Sequence, residues 1–344
     1  MIEQKNPTKT SFFKKLFIKI CRIFDYEIID QNVFFVPTQK KSLNENLSIQ
    51  GKKSITLPLG EIKISRKVSA LTVIFRSCTS INMLTQNKKR LFDKNKSEYT
   101  FRSLNSLIIS LNQAKLLFPK IEFDIVIIDF NSKNEDLEQM KKQLQKSKLK
   151  NSIISLDINE FVGNIKKINA KNEKVSENQI SNMCNIHKSL MIAKNQSSDL
   201  VYFVEDDYLH QNDTINEMIY TYERISSQIN RELILCPSDY PYLYTKIDDT
   251  NIFLGSNKHW RKVDETLCTF LTSKKILQKY WTKFISMCEF EHYPFEKPLH
   301  DIYKSEYCLS PIPSLALHCT NINSIFGLSP NMDWAKIWDE NEKY

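Results

Sequence analysis

Only five glycines occur in the 344 residues, and none of them builds a glycine-rich phosphate loop of the Rossmann or P-loop type. A nucleotide bound here must have its diphosphate held in another way, and a carboxylate-bound metal ion is the obvious candidate. The eight cysteines include no C-x-x-C pair, which argues against a zinc ribbon or a thioredoxin-like centre. They read as small buried hydrophobes of a reducing cytosol. No apolar run approaches the roughly 20 residues of a membrane span. Lys14, Lys15, Lys19 and Arg22 interrupt the apolar residues near the N-terminus, so a signal peptide is not expected. The formal charge of +8 is carried by scattered lysines. A dense basic stripe interleaved with aromatics is missing, so nucleic acid is not an expected partner. The excess reads as a solvated basic surface, with attraction to an anionic substrate or membrane as the functional alternative.

What is present is enough apolar material for a substantial core. A hydrophobic fraction of 41% with 20 Phe excludes a globally disordered chain. The length suits one large α/β domain with an appendage. Residues 11–24 place Phe12, Phe13, Leu16, Phe17, Ile20, Ile23 and Phe24 at helical spacing, with lysines and Arg22 over much of the opposite face. Such a basic amphipathic helix can lie in a membrane interface or dock on the main domain through its Phe stripe. Docking is the preferred expectation, although the stripe alone does not separate the two. Residues 26–68 read as short extended pieces punctuated by Pro37, Gly51, Pro58 and Gly60. The expected division is an N-terminal extension over 1–69, a main domain over 70–325 and a tail over 326–344.

From residue 70 strands and helices alternate. Strands are expected at 70–75 (ALTVIF), 123–128 (FDIVII), 152–156 and 200–204 (LVYFV), and helices at 100–118, 136–148 and 178–195. This alternation implies a mostly parallel sheet with helices on both faces, whose ligands bind beyond the carboxyl ends of the strands. Three polar loops converge there: Arg76-Ser77-Cys78-Thr79, Asp129-Phe130-Asn131-Ser132, and Glu205-Asp206-Asp207. Three successive carboxylates after a buried strand are costly unless a cation compensates them. A hard divalent ion bound to substrate phosphates is a common solution. A solvated strand end before a helix N-terminus is the plain alternative.

As an ordered set, these segments resemble the GT-A glycosyltransferases, particularly the family 2-like bacterial enzymes. LVYFVEDD is similar to their strand ending in a DxD-type motif, and FDIVIIDFNS to their second strand ending in Asp. The resemblance covers roughly residues 70–320. It implies a GT-A-like, Rossmann-like α/β fold with a mostly parallel, mixed sheet flanked by helices and a small N-terminal extension. It also implies a sugar transferase, hexosyl-type and inverting, that uses a nucleotide-sugar donor and Mn²⁺ or Mg²⁺. Asp129 would contact the nucleotide base or ribose, Asp206 would lie near the ribose, and Asp207 would ligate the metal. Glu205 departs from the family's leading Asp. Arg76, Ser77 and Thr79 correspond to the nucleotide-binding loop, where an Arg can engage phosphate bidentately, and Asn131 belongs to the second donor-side loop. A further metal ligand, often His in the family, matches His318 after the apolar stretch SPIPSLAL. Asp301 is the matching candidate for the general base, with Glu291 and Glu296 as nearby alternatives.

Tyr240 in YPYLY, and Trp260 with Arg261, put aromatics in expected loops, where they could serve as saccharide platforms. A further strand is expected at 266–271. The acceptor implied is a growing surface glycan or glycolipid, and the place of action is the cytoplasm, peripherally at the inner membrane face. A nucleotidyltransferase on a related fold is the enzymatic rival, but it would normally carry a Gly-rich loop that ALTVIFRSCTS lacks. A non-catalytic saccharide-binding scaffold is the rival from a different class.

Overall fold

In a computed structural model of the chain, residues 12–26, 28, 63–80, 90–245, 247 and 249–344 are described. Most of the extended pieces expected over 26–68, and their Pro and Gly punctuation, lie outside the described residues. The chain divides into two units, residues 1–63 and 64–344. The first contains α1 (Phe12–Ile23), the amphipathic helix expected from the Phe and Lys spacing, and none of its residues is buried.

In the second unit, β1 (Ala70–Ser77) is followed by α2 (Lys96–Leu117), β2 (Glu122–Asp129), α3 (Asn134–Lys146), β3 (Lys150–Ser155), α4 (Glu177–Gln196) and β4 (Leu200–Glu205). β1 pairs in parallel with both β2 and β4, and β3 in parallel with β2. Every residue of β1 is buried because helices cover both faces, which is why it reads as an unbroken apolar run. Alternate side chains serve opposite cores. Ile74 packs among Met183, Ile186 and Leu190 of α4, while Leu71, Val73 and Phe75 pack among Leu104, Leu107 and Leu111 of α2.

The second half mixes directions. After β5 (Tyr208–His210) and α5 (Thr214–Ile229) come β6 (Leu233–Leu235), β7 (Ile252–Leu254), β8 (His259–Lys262) and β9 (Phe270–Ser273). Then follow α6 (Lys274–Lys279), α7 (Trp281–Glu289), α8 (Lys297–Tyr303), β10 (Tyr307–Ile312), β11 (Ala316–His318) and α9 (Trp334–Glu340). The nine-stranded sheet runs β3-β2-β1-β4-β9-β6-β10-β8-β7. β9 is antiparallel to both β4 and β6, and β8 is antiparallel to β10. This is the mixed, mostly parallel α/β architecture expected from the sequence. The strand expected at 266–271 begins only at Phe270. The Thr266 hydroxyl instead meets the Tyr303 hydroxyl at 2.7 Å, and its N–H donates to His300 Nε2 at 3.3 Å.

α9 packs on the start of α2. Arg102 lies 4.2 Å above the Trp338 ring and donates to the Trp338 carbonyl at 2.6 Å. A small antiparallel ladder of β5 and β11 sets His318 opposite Tyr208, one residue beyond the acidic motif. That pairing brings together two segments more than a hundred residues apart in sequence.

Candidate active site

The parallel strands β1, β2 and β4 end at one edge of the sheet, and their loops are tied together there. The Ser77 hydroxyl donates to Asp129 Oδ1 at 2.7 Å, and the Ser132 hydroxyl donates to the same oxygen at 2.6 Å. The Ser132 N–H reaches Asp129 Oδ2 at 3.1 Å. The Thr79 N–H donates to the Ser132 hydroxyl at 2.9 Å, and the Cys78 N–H to Asp206 Oδ2 at 3.3 Å. Asn131 makes the turn in a left-handed conformation, with φ of 55°, as a short polar side chain allows.

Beside these loops lies a cavity of about 210 Å³. Among the described residues its charged lining comprises Arg76, Arg90 and Lys96 together with the three acids of the motif, Glu296 and His318. Ser77 also lines it, whereas Asp129, Thr79 and Asn131 do not. Asp129 is buried and both its oxygens are engaged by the loops. The structure therefore gives it the work of shaping the site rather than the base or ribose contact expected of it.

The three acids of the motif differ sharply. Glu205 accepts from Arg76 Nη2 at 2.9 Å, and Arg76 is steadied from its other side by Asn182 Oδ1 at 3.0 Å. Asp206 is almost fully occupied, by the Lys96 ammonium, the Thr100 hydroxyl at 2.9 Å and the Cys78 N–H. Asp207 faces His318, whose Nε2 lies 3.4 Å from Oδ2. Burial alone would raise the Asp207 pKa, but attraction and hydrogen bonding to His318, with help from Lys96 and Thr320, hold it well below the usual carboxylate range. Burial lowers the His318 pKa, and the Asp207 charge outweighs it and raises the imidazole above its ordinary value.

Among the described residues, no group of three or more His, Cys, Asp or Glu side chains is placed to hold a metal ion. The pair nevertheless offers one carboxylate and one imidazole, donor types that a divalent cation can accept. His318 Nδ1 donates to the Phe326 carbonyl at 2.9 Å, which fixes the ring and aims Nε2 at Asp207. An outer hydrogen bond of this kind is how metal-ligating histidines are usually oriented. The ring also stacks on Tyr208, with centroids 4.8 Å apart and an interplanar angle of 18°.

Four residues at the site carry no motif of their own in the sequence: Lys96, Arg90, Asn182 and Thr100. A signal for two of them is visible in α2, where Lys96, Thr100, Ser103, Ser106 and Ser110 recur at spacings of three and four. This polar stripe fastens the segment after β4. The Ser103 hydroxyl donates to the Tyr208 carbonyl at 2.7 Å, the His210 N–H to Ser106 at 3.0 Å, and the Ile215 N–H to Ser110 at 2.9 Å. Arg90 lies over the Tyr99 ring at 5.3 Å.

No protein-family profile matches the chain, and no curated protein matches it. The solved structures it is similar to include glycosyltransferases and UDP-glucose pyrophosphorylase. One is S. aureus TarS 1–349 in complex with UDP, with 13% identity, a TM-score of 0.35, and coverage of 64% of this chain and 54% of that one. Another is UDP-glucose pyrophosphorylase complexed with UDP-glucose, with 7% identity, a TM-score of 0.37, and coverage of 79% and 96%. A third is the galactosyltransferase LgtC in complex with donor and acceptor sugar analogs, with 10% identity, a TM-score of 0.34, and coverage of 79% and 95%. The chain spans between 29% and 54% of the length of the TarS chains it matches. What chemistry the cavity supports is accordingly a question for its own residues.

On the acceptor side four residues stand elsewhere than expected. Trp260 is not in a loop; it is a fully buried residue of β8. Its Nε1 donates to Glu217 Oε1 at 3.2 Å, and the N–H groups of Ser256, Asn257 and Lys258 converge on the same carboxylate. The ring therefore pins the β7–β8 hairpin to α5 and offers no face to a sugar. Tyr240 is buried too, its hydroxyl 2.7 Å from that of Tyr208. Arg261 is paired with the buried Asp239 and stacks 4.6 Å over Tyr244. Asp301 lies in the second turn of α8 and does not line the cavity. Its carboxylate is held by Lys304 at 2.6 Å and Lys297 at 3.0 Å, which depress its pKa to about 2 and make it a poor proton acceptor. Glu296, which caps the start of the same helix, does line the cavity.

Proposed function

We propose that the chain is a metal-dependent glycosyltransferase that moves a sugar from a nucleoside diphosphate donor to a hydroxyl acceptor. The observation that carries this is the Asp207–His318 pair, oriented from outside by the Phe326 carbonyl and facing a cavity that also presents Arg76, Arg90 and Lys96. A mixed wall of this kind suits a ligand that brings both its own anion and the anion's counter-ion. Asp207 and His318 would hold Mn²⁺ or Mg²⁺, which neutralises charge on a diphosphate leaving group. Lys96 and Arg90 add positive charge to the same wall, and Arg76 is held ready by Glu205 and Asn182. Glu296 replaces Asp301 as the base. It takes the proton of the acceptor hydroxyl while that oxygen bonds to the anomeric carbon and the bond to the diphosphate breaks, an inverting single displacement. The donor sugar is a hexose, and the acceptor is a glycan or glycolipid handled at the cytoplasmic face of a membrane.

The test is a thermal-shift series with nucleoside diphosphates, with and without Mn²⁺. One nucleotide should raise Tm strongly only with the metal, and Asp207→Ala should abolish that increment. The proposal fails if no nucleotide stabilises the protein, or if Asp207→Ala responds as the wild type does.

A further inference from the structure

We infer that α1 is a docking surface for an anionic lipid bilayer. This does not rest on the nucleotide-sugar assignment, because it uses only α1. At 3.6 residues per turn, Phe12, Phe13, Leu16, Phe17, Ile20, Ile23 and Phe24 fall within an arc of about 140°. All seven are between 44% and 78% exposed. The half-buried residues of the helix are Ile18 and Cys21, which lie outside that arc. The aromatic stripe is therefore not what covers itself against neighbouring residues, and so dense an apolar face in water calls for an occupant.

The charges select which occupant. Lys14, Lys15, Lys19 and Arg22 occupy the remaining arc, and residues 12–24 contain no acid. Cations flanking an aromatic stripe match a bilayer with anionic headgroups, into which the rings insert while the basic groups stay at the phosphates. A helix of 12 residues is about 18 Å long, too short to cross a hydrocarbon core of about 30 Å. It therefore lies in the plane of the interface. No helix among the described residues is long and apolar enough to cross a membrane, so attachment through α1 would be peripheral.

The experiment is flotation of the full chain with phosphatidylcholine vesicles that either contain or lack phosphatidylglycerol. The chain should float with the anionic vesicles, much less with the neutral ones, and release should increase with salt. A juxtamembrane basic residue contributes about 1 kcal/mol, or roughly fivefold. Lys14→Gln/Lys15→Gln/Lys19→Gln should therefore weaken binding on the order of a hundredfold. Phe13→Ser/Phe17→Ser should weaken it at least tenfold, as apolar area is lost. Lys141→Gln/Lys142→Gln, on the exposed side of α3, controls for general basicity and should change binding by less than about twofold. The inference is overturned if the wild type does not float, if the α1 variants float like the wild type, or if the α3 control loses as much. Self-association through the stripe without flotation overturns it as well. The two proposals separate cleanly: α1 variants should retain the Mn²⁺-dependent nucleotide shift, and Asp207→Ala should retain flotation.

Discussion

The two edges of the central sheet carry similar charged residues and use them in opposite ways. At the amino ends of β1, β4 and β6, Arg66 is paired with Asp199 and Glu232. Arg66 Nε lies 3.1 Å from Glu232 Oε1, the Tyr222 hydroxyl donates to Glu232 Oε2 at 2.6 Å, and the Ser69 N–H donates to Asp199 Oδ2 at 2.8 Å. This cluster holds the strand starts together. At the carboxyl ends, Glu205, Asp206 and Asp207 meet Arg76, Lys96 and His318 around a cavity. Asp206 there is engaged as fully as the acids of the other edge. Clustered charge is therefore not the mark of the site. The mark is charge that lines the cavity at the carboxyl ends of the strands, and Asp207 and Glu296 both do so.

The sharpest break of this comparison lies between two carboxylates of α8 and its cap. Glu296→Gln keeps the shape and removes the proton acceptor, so release of nucleoside diphosphate in the presence of acceptor should fall by at least about a hundredfold, with KM for the donor little changed. Asp301→Asn, on the same helix, should stay within about twofold, because its lysine partners are surface groups. Equal losses in the two variants, in a steady-state assay, would return the base to Asp301 or remove it from both.

The contrast between Asp301 and Glu296 also shows where the sequence stops being legible. In the first half strands and helices alternate in parallel, so each strand's carboxyl end could be located from its apolar run, and Arg76, Ser77, Glu205, Asp206 and Asp207 could be placed at one edge. In the second half β8 and β9 run against their neighbours, and periodicity does not report direction. Trp260 with polar neighbours looks the same in a loop as in a strand where a buried Glu217 satisfies its indole N–H. That partner lies 43 residues away. Lys96 is illegible in the sequence for another reason. It lies four residues before the helix expected at 100–118, whereas α2 begins at Lys96.

A smaller effect separates the edges by stability. Arg66→Ala leaves two part-buried carboxylates facing each other without their fork and should cost about 2 kcal/mol in urea denaturation. Asp207→Asn should cost less than about 1 kcal/mol, because His318 can simply shed its proton. If Asp207→Asn destabilised the protein as much as Arg66→Ala, the carboxyl edge would be a structural clamp like the amino edge.

A further effect falls on the acid limb of stability. Burial would raise the Glu232 pKa, but hydrogen bonds from Arg66, Tyr222 and Lys275 win and hold it at about 2, against an ordinary 4.5. A carboxylate depressed on folding contributes stability that is fully present above its unfolded pKa and is lost as pH falls through its folded one. Glu232→Gln should therefore be less stable than the wild type above about pH 4.5, and the gap should close as the pH approaches 2. Equilibrium urea unfolding at stepped pH measures it. Asp301, whose pKa is also depressed to about 2 but whose lysine partners are exposed, should give a shallower change in Asp301→Asn, since water and salt screen those lysines. Two equal slopes would mean that the amino-edge cluster is no better shielded than a surface pair, and its contrast with the cavity edge would then rest on geometry alone.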